Sequence, residues 1–386
     1  MRKLASFILL SFAMLLPASA GAQIFEWKDS FISGAGDGGR FAQAIGLTSD
    51  NAGRVYVADF LAGRVEIYDN AESGNKYLRS LTVKIGRPTG VWVDNRQRVY
   101  VADAQDDSVA FFDNFNDDFD FRREFGGAGT EIGKMSGPRG VTTDRGNGIF
   151  VVERENARIQ YFRPQGGKTV GFAAFGTGGT GDFLQPEGVV REGDDRFYVT
   201  NDDPFEGRVR VFDKRGKVIR DLAGPGGEFG QVSSPRGIVR DPAGRILVVD
   251  AGNSRVQIFS SFASGNVFLG AIGLPGAAEG RFSSPNGVTV TPGANLYVAD
   301  TGNGRVVRIK YDDADDDGAI DARDNCRGLA NVGQTDTDKD GKGDPCDEDI
   351  DNDGKPNEQD KCPREKPKRD ANNDGCFDLP ARRSSR

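Results

Sequence analysis

The sequence predicts an all-β protein, a six-bladed β-propeller that is closed by an N-terminal strand and followed by an irregular, disulfide-linked C-terminal segment. Three observations lead to this prediction. One motif recurs six times at intervals of 44 to 50 residues. Each copy contains short apolar segments separated by Gly, Asn and Asp, which is typical of strands joined by turns. The acidic residues become dense after residue 311, where all four cysteines also lie.

The N-terminus has the pattern of a signal peptide. Arg2 and Lys3 precede an apolar run over residues 4–16, and small residues allow cleavage after Ala20 or Ala22. The run is too short for a membrane span, and no later stretch reaches that length. We therefore expect residues 1–22 to be removed, no membrane span, and a mature protein that is secreted, periplasmic or at the cell surface.

The repeated unit predicts four strands. It starts with Pro-x-Gly and an apolar residue, continues with an apolar strand that ends in Asp, Glu or Asn, and then reads approximately Arg-Val-x-x-Phe. A fourth strand-like segment follows each of the first five copies, for example at residues 168–175. Four strands per unit, repeated six times, predict propeller blades. The repeated glycines are Gly46, Gly90, Gly140, Gly188, Gly237 and Gly287.

The last copy has no fourth strand of its own, because it runs directly from Tyr311 into the acidic segment. Residues 24–32 precede the first copy and have strand character. We expect this segment to pair with residues 305–311, because an unpaired edge would promote aggregation. The repeats over residues 24–311 resemble NHL repeats, and this resemblance implies a six-bladed propeller. The predicted propeller domain is 23–311.

Most units pair the acid at the end of the second strand with an arginine shortly after it, as in Asp250 and Arg255. A repeated pair favours a structural role in fixing a loop over a catalytic role. The recurrent Pro and Gly are interpreted as turn residues. Glu153, Glu187 and Asn201 depart from their equivalents and are the alternative candidates for an axial site. The inserted loop at residues 202–207, which contains a phenylalanine, is either a ligand contact or a tolerated insertion.

The chain contains no histidine. A related group of six-bladed propellers cleaves amidated-peptide precursors with zinc held by histidines, and this chain lacks those ligands. Ser-His-Asp and Cys-His nucleophilic sites are also excluded. Carboxylates remain as calcium ligands or acid–base groups near the axis, as in lactonase-type propellers. We assign no catalytic residues.

The C-terminal segment is acidic and poor in apolar residues, with 22 acids and 13 bases from residue 312 onward. Its acids form four clusters of the form Asp-x-Asp/Asn-x-Asp-Gly. Alternate oxygen ligands in a tight loop, followed by a glycine, are typical of Ca²⁺ sites. EF-hands fit less well, because the twelfth-position Glu and flanking helices are missing. The predicted calcium ligands are Asp313, Asp315, Asp317, Asp321, Asp324, Asp336, Asp338, Asp340, Asp344, Asp349, Asp351, Asp353, Asn357, Asp360, Asp370, Asn372, Asp374 and Asp378.

These clusters resemble thrombospondin type 3 repeats, on the basis of Asp324-Asn325-Cys326 and of residues 334–347. In the last repeat Cys376 directly follows Gly375, which departs from the family pattern. Even, clustered cysteines in an exported chain indicate two disulfides. The resemblance implies the pairs Cys326–Cys346 and Cys362–Cys376. The predicted domain is 312–378, with a flexible C-terminus at 379–386.

Together these features predict an exported, monomeric binding or adhesion scaffold. The propeller is the platform for an unknown extracellular protein or carbohydrate ligand, and the C-terminal segment binds calcium. The near-neutral propeller argues against a nucleic-acid partner. The alternative is a calcium-dependent propeller hydrolase or lyase with its site at the axis.

Overall fold

The computed structural model describes residues 25–32, 41–115, 118–176, 183, 185–203, 205–311, 324–326, 329, 331, 335–364 and 376. Within these residues six blades of four antiparallel strands each follow one another along the chain; the four strands are successive in five blades, and the sixth blade takes its outer strand from the N-terminal part of the chain. This arrangement is the predicted six-bladed propeller. Within the described ranges, the structure contains no helix with the length and apolarity that a membrane crossing requires.

The first three blades follow the repeat predicted from the sequence, because each inner strand begins at or next to the Pro-x-Gly position. The first blade contains β2 (Ala44–Ser49), β3 (Val55–Asp59), β4 (Arg64–Tyr68) and β5 (Tyr77–Leu81). The second contains β6 (Pro88–Val93), β7 (Val99–Asp103), β8 (Ser108–Phe112) and β9 (Phe121–Gly126). The third contains β10 (Pro138–Thr143), β11 (Ile149–Glu153), β12 (Arg158–Gln165) and β13 (Lys168–Phe175).

The last three blades keep this order, with two short additions between blades. The fourth contains β14 (Pro186–Glu192), β15 (Arg196–Asn201), β16 (Arg208–Asp213) and β17 (Val218–Pro225), extended by β18 (Gln231–Val232). The fifth contains β19 (Pro235–Arg240), β20 (Ile246–Asp250), β21 (Arg255–Phe259) and β22 (Phe268–Ile272), followed by the pair β23 (Leu274–Pro275) and β24 (Arg281–Phe282). The sixth contains β25 (Val288–Val290), β26 (Asn295–Asp300), β27 (Arg305–Tyr311) and the N-terminal β1 (Phe25–Ile32). Short 3₁₀ helices cover Ala251–Asn253, Thr301–Asn303 and Asp344–Cys346.

The core lies between the blades. Each of six buried clusters joins two adjacent sheets, because the alternating side chains of each strand face the neighbouring blade. One of them joins the last blade to the first, where Tyr297 and Val306 pack with Leu47 and Val55. The Tyr297 hydroxyl also donates a hydrogen bond of 2.8 Å to Asn75 of the first blade. The ring is therefore packed continuously.

In the structure β1 lies antiparallel to β27, with Phe25 opposite Tyr311 and Ile32 opposite Val306. This is the position that the sequence predicts for the missing fourth strand. Two register shifts interrupt the pairing near Ser30. That β1 holds the ring closed stays a prediction, which a deletion tests.

The six repeated glycines form a ring around the axis. A Cβ atom at Gly140 would lie 2.8 Å from the carbonyl oxygen of Glu187, and one at Gly188 would lie 2.6 Å from that of Arg236. A Cβ atom at Gly287 would meet the carbonyl oxygen of Ile45, so the ring of close contacts continues from the last blade to the first. None of the six has a positive φ in the range that favours glycine. The interpretation of these glycines as turn residues was therefore wrong, because they are required for close approach of the inner strands.

The recurrent acids serve as structural clamps, as the sequence predicts. Asp250 and Asp300 pair with the arginines five positions later at 2.7 Å. The same carboxylates accept backbone N–H groups at the entry to the blade, as Asp250 does from Ser233 at 2.7 Å. The first blade differs, because Arg64 pairs with Glu66 at 2.7 Å. In five blades the recurrent acid joins the inner hairpin to the chain that enters it.

The C-terminal segment contains the two disulfides Cys326–Cys346 and Cys362–Cys376. This confirms the pairing implied by the family resemblance.

Candidate functional site

Two aspartate-rich loops with the same local structure lie in the C-terminal segment, one largely enclosed by the Cys326–Cys346 disulfide and one directly after it. We name them the 336 loop (residues 336–347) and the 349 loop (residues 349–360). In each, the first aspartate accepts the N–H group of the glycine five positions later, Gly341 at 3.1 Å and Gly354 at 3.0 Å. Both glycines have a positive φ, of 101° and 94°. The sequence folds the two loops alike because glycine adopts this backbone conformation at little cost.

Each loop brings three carboxylates together. One oxygen from each of Asp336, Asp338 and Asp340 lies within 4.8 Å of the others, and the same holds for Asp349, Asp351 and Asp353. Burial raises the pKa of Asp351, and the charges of Asp353, Asp360 and Asp349 raise it further. These acids therefore repel one another at close range, and a cation between them would remove that repulsion.

Among the described residues of this segment, three buried carboxylate oxygens have no hydrogen-bond partner: Oδ2 of Asp338, Oδ2 of Asp351 and Oδ2 of Asp360. Asp338 and Asp351 occupy the same position in the two loops, 13 residues apart. Leaving a buried acceptor unsatisfied costs about 1–3 kcal/mol. Hard oxygen donors clustered in this way fit the ligand preferences of Ca²⁺.

Asp344 and Asn357, which occupy equivalent positions in the two loops, have a different environment. Both carboxylate oxygens of Asp344 accept hydrogen bonds from Thr337, from its N–H group at 2.8 Å and its hydroxyl at 2.9 Å. Asn357 accepts the N–H group of Ile350 at 2.9 Å and donates to the carbonyl oxygen of Asp347 at 2.7 Å. These two side chains hold the loops in shape in the structure.

Sequence reasoning missed Asp347. It corresponds to Asp360 in the 13-residue repeat, and its charge contributes to the raised pKa of Asp338, after burial, the charge of Asp340 and the hydrogen bond with Asp336. Asp360 has the same relation to Asp351. Alignment of the two loops with each other would have found this residue.

The other predicted ligands lie at the ends of the segment. Asp324 accepts the N–H group of Cys326 at 2.8 Å and so supports the first disulfide. Outside the described residues lie Asp313, Asp315, Asp317, Asp321, Asp370, Asn372, Asp374 and Asp378.

A second candidate site lies at one end of the propeller axis. The side chain between Pro (or Ala) and Gly in each repeat contributes one residue per blade to a cavity of about 360 Å³. We name this cavity the axial mouth. Strand ends and loops add four further residues. The axial mouth is lined by Ile45, Thr89, Arg139, Glu187, Arg236 and Asn286, together with Gln43, Phe60, Arg154 and Asp202.

The charged residues of the axial mouth form one network. Arg154 pairs with Glu187 and, at 3.2 Å, with Asp202. Arg139 lies 3.6 Å from Glu187, and Arg236 lies 3.5 Å from Asp202. Burial lowers the pKa of both Arg139 and Arg154. Three arginines thus share two carboxylates in a partly buried position.

Of the axial candidates from the sequence, only Glu187 lines the axial mouth. Glu153 forms a buried clamp with Arg158 at 2.9 Å, and Asn201 is buried at the end of β15. In the inserted loop, the side chain of Phe205 is 86% exposed. The three arginines were missed, although two of them, Arg139 and Arg236, stand directly before a repeated glycine, the position that each blade sends to the axis.

Two repeat families match the chain. Residues 233–259 and 282–309 match the NHL repeat, and residues 335–368 match the thrombospondin type 3 repeat. The protein is thus a six-bladed β-propeller whose fifth and sixth blades match the NHL repeat. Its C-terminal segment contains a thrombospondin type 3 repeat.

Two curated proteins are each similar to a part of the chain. "Protein brain tumor" from Drosophila melanogaster is 32% identical over 148 residues, which are 37% of this chain and 13% of that protein. Thrombospondin-2 from Mus musculus is 62% identical over 40 residues, which are 10% of this chain and 3% of that protein. The chain therefore spans only a small part of the length of either relative.

The propeller is also similar to solved structures. A gluconolactonase from Xanthomonas campestris aligns with a TM-score of 0.52 and 16% identity, over 76% of this chain and 98% of that chain. At this identity the similarity shows the fold alone.

Proposed function

We propose that this protein is an extracellular binding scaffold whose C-terminal segment binds calcium. The observation that carries the proposal is the set of partnerless buried oxygens of Asp338, Asp351 and Asp360 in two loops of identical design. Family likeness points the same way, since the match to the thrombospondin type 3 repeat covers both loops. The propeller is the platform, and the segment becomes an ordered spacer when it binds calcium.

Calcium would be held by Asp336, Asp338 and Asp340 in the 336 loop, and by Asp349, Asp351 and Asp353 in the 349 loop. Asp347 and Asp360 are additional ligands of these loops. Neutralising the carboxylates converts the free energy of ion binding into ordering of the segment. Affinities of extracellular calcium modules fall at about 10⁻⁴ to 10⁻³ M.

The disulfides support an extracellular location. Two bridges account for all four cysteines of the chain, and such bridges persist in oxidising compartments. With the proposed signal peptide at 1–22, the domain organisation is a propeller at 23–311, a calcium-binding segment at 312–378 and a C-terminus at 379–386.

The axial mouth supports binding over hydrolysis or lyase chemistry. A calcium-dependent axial site would need several oxygen ligands. The two acidic side chains that line the mouth, Glu187 and Asp202, are both engaged by arginines. Cationic groups in the mouth outnumber acidic ones, which disfavours a metal ion there.

Calcium titration of the chelator-treated full chain by calorimetry tests the proposal. Asp351→Asn keeps the shape of the side chain but removes its charge, and we expect the affinity of the 349 loop to fall about tenfold or more. Glu358→Gln is the matched control. Glu358 is exposed in the same segment, and its substitution by glutamine removes the same charge. The absence of saturable calcium binding, or equal losses in the two variants, would refute the proposal.

A further inference from the structure

The axial mouth has an uneven distribution of charge. Arg139, Glu187 and Arg236 occupy the axial positions of three consecutive blades, the third, fourth and fifth. The other three blades contribute Asn286, Ile45 and Thr89. One half of the ring is therefore charged, and the other half is neutral.

The arginines differ in how fully their hydrogen-bond donors are used. Arg154 donates to Gln185 and to Asp202, in addition to its ion pair with Glu187. The Nε atoms of Arg139 and Arg236 are buried without a hydrogen-bond partner among the described residues. Their ion-pair distances of 3.6 and 3.5 Å exceed the range of a charge-assisted hydrogen bond. Both side chains line the cavity and stay partly exposed, 23% for Arg139 and 29% for Arg236, so the terminal groups of each guanidinium can donate to a ligand.

The net charge of the lining favours an anion. Three arginines face two carboxylates, which leaves one positive charge. Two exposed residues with opposite charges, Arg87 and Glu155, stand beside the axial mouth, and their charges balance each other. The Arg87 guanidinium lies 5.7 Å from the centroid of the Phe60 ring. The charge of Glu155 acts to raise the pKa of Arg139 and Arg154. Guanidinium groups match the geometry of carboxylate and phosphate oxygens.

The neutral half of the mouth defines the rest of the ligand. Ile45 and Phe60 supply an apolar wall, and the side-chain amides of Gln43 and Asn286 lie beside it. Ligand pockets commonly combine such a wall with a few polar groups, within about 300–1,000 Å³. The cavity of about 360 Å³ falls in this range and suits a small molecule.

We propose that the axial mouth binds a small organic anion, whose carboxylate or phosphate group pairs with Arg139 and Arg236 while its apolar part contacts Ile45 and Phe60. This inference rests on the proposed role of the propeller as a binding platform and names the chemical class of its ligand. Glu187 competes with the ligand for Arg139 and therefore limits the affinity.

The test uses the full chain with about 1 mM calcium chloride, and measures binding by NMR titration. Phenyl phosphate and benzoate are the anionic probes and separate a phosphate preference from a carboxylate preference. Benzamide is the neutral probe of the same shape as benzoate. We expect saturable binding of at least one anion and none of benzamide. No saturable anion binding, or benzamide binding as tight as that of benzoate, overturns the proposal.

Variants place the binding at the axis. Arg139→Gln and Arg236→Gln should each weaken binding of the preferred anion about tenfold. Arg96→Gln is the matched control: it removes the same charge from an exposed arginine beyond the other end of β6, and should change binding by less than about twofold. Equal loss in the control overturns the proposal.

Glu187→Gln keeps the proposal testable if an arginine variant does not fold. It should strengthen anion binding about threefold or more, because a competing carboxylate is removed. Unchanged or weaker binding in this variant contradicts the proposal. The anion probes report on the axial mouth, whereas calcium titration reports on the aspartate loops. Anion binding can therefore fail while calcium binding is observed, and calcium binding can fail while anion binding is observed. Failure of this inference and failure of the proposed calcium-binding function are therefore distinguishable.

Discussion

The glycine ring at the axis allows a sharp test of how the blades pack. In Gly140→Ala, the new Cβ atom would lie 2.8 Å from the carbonyl oxygen of Glu187, 3.1 Å from the N atom of Val189 and 3.2 Å from the Cα atom of Gly188. All three atoms belong to the backbone of β14 in the next blade. No side chain can rotate away, so the inner strands must move apart.

The expected cost follows from this geometry. Extra methyl groups in well-packed interiors cost about 1–3 kcal/mol, and a rigid backbone neighbour places this variant towards the upper end. For a domain of this size, each kcal/mol lowers the melting temperature by about 2–4 °C. We therefore expect Gly140→Ala to melt about 4–12 °C below the parent protein.

Gly224→Ala is the matched control. Gly224 also lies in a strand, β17, without a positive φ, and a Cβ atom there would meet nothing within 4 Å. Replacing it should leave the melting temperature unchanged or raise it slightly, because alanine lowers the entropy of the unfolded chain. Differential scanning calorimetry at fixed calcium concentration measures both variants. Equal melting temperatures for the two would refute the close-approach role of the ring.

Two further predictions concern the ends of the chain. Deleting residues 24–32 removes β1 and exposes the edge of β27, so we expect aggregation that light scattering detects; a deletion variant that stays monomeric and equally stable would contradict the closure. Millimolar calcium should compact residues 312–378, and chelator should make them protease-sensitive while the propeller survives on its own apolar core. Limited proteolysis followed by mass spectrometry reads both outcomes, and equal cleavage of the segment in both conditions would rule out calcium ordering.

The local order of the strands was predictable from the sequence because it depends on short-range patterns. The predicted fourth strand at residues 168–175 is β13, and the segment before the first copy is β1. The aspartate loops were equally predictable, since their clustered carboxylates lie within about a dozen residues of one another. Here neighbours in the sequence are also neighbours in space.

The tertiary structure decided what meets at the axis. Arg139 and Arg236 are 97 residues apart, and their shared position before a repeated glycine does not reveal that their charges meet in one cavity. The role of Gly140 was also hidden, because the atoms that exclude a Cβ belong to the next blade. The repeat period determines that each blade sends one residue to the axis. Only closure of the ring brings six such residues, each from a different repeat, around one cavity where their charges act together.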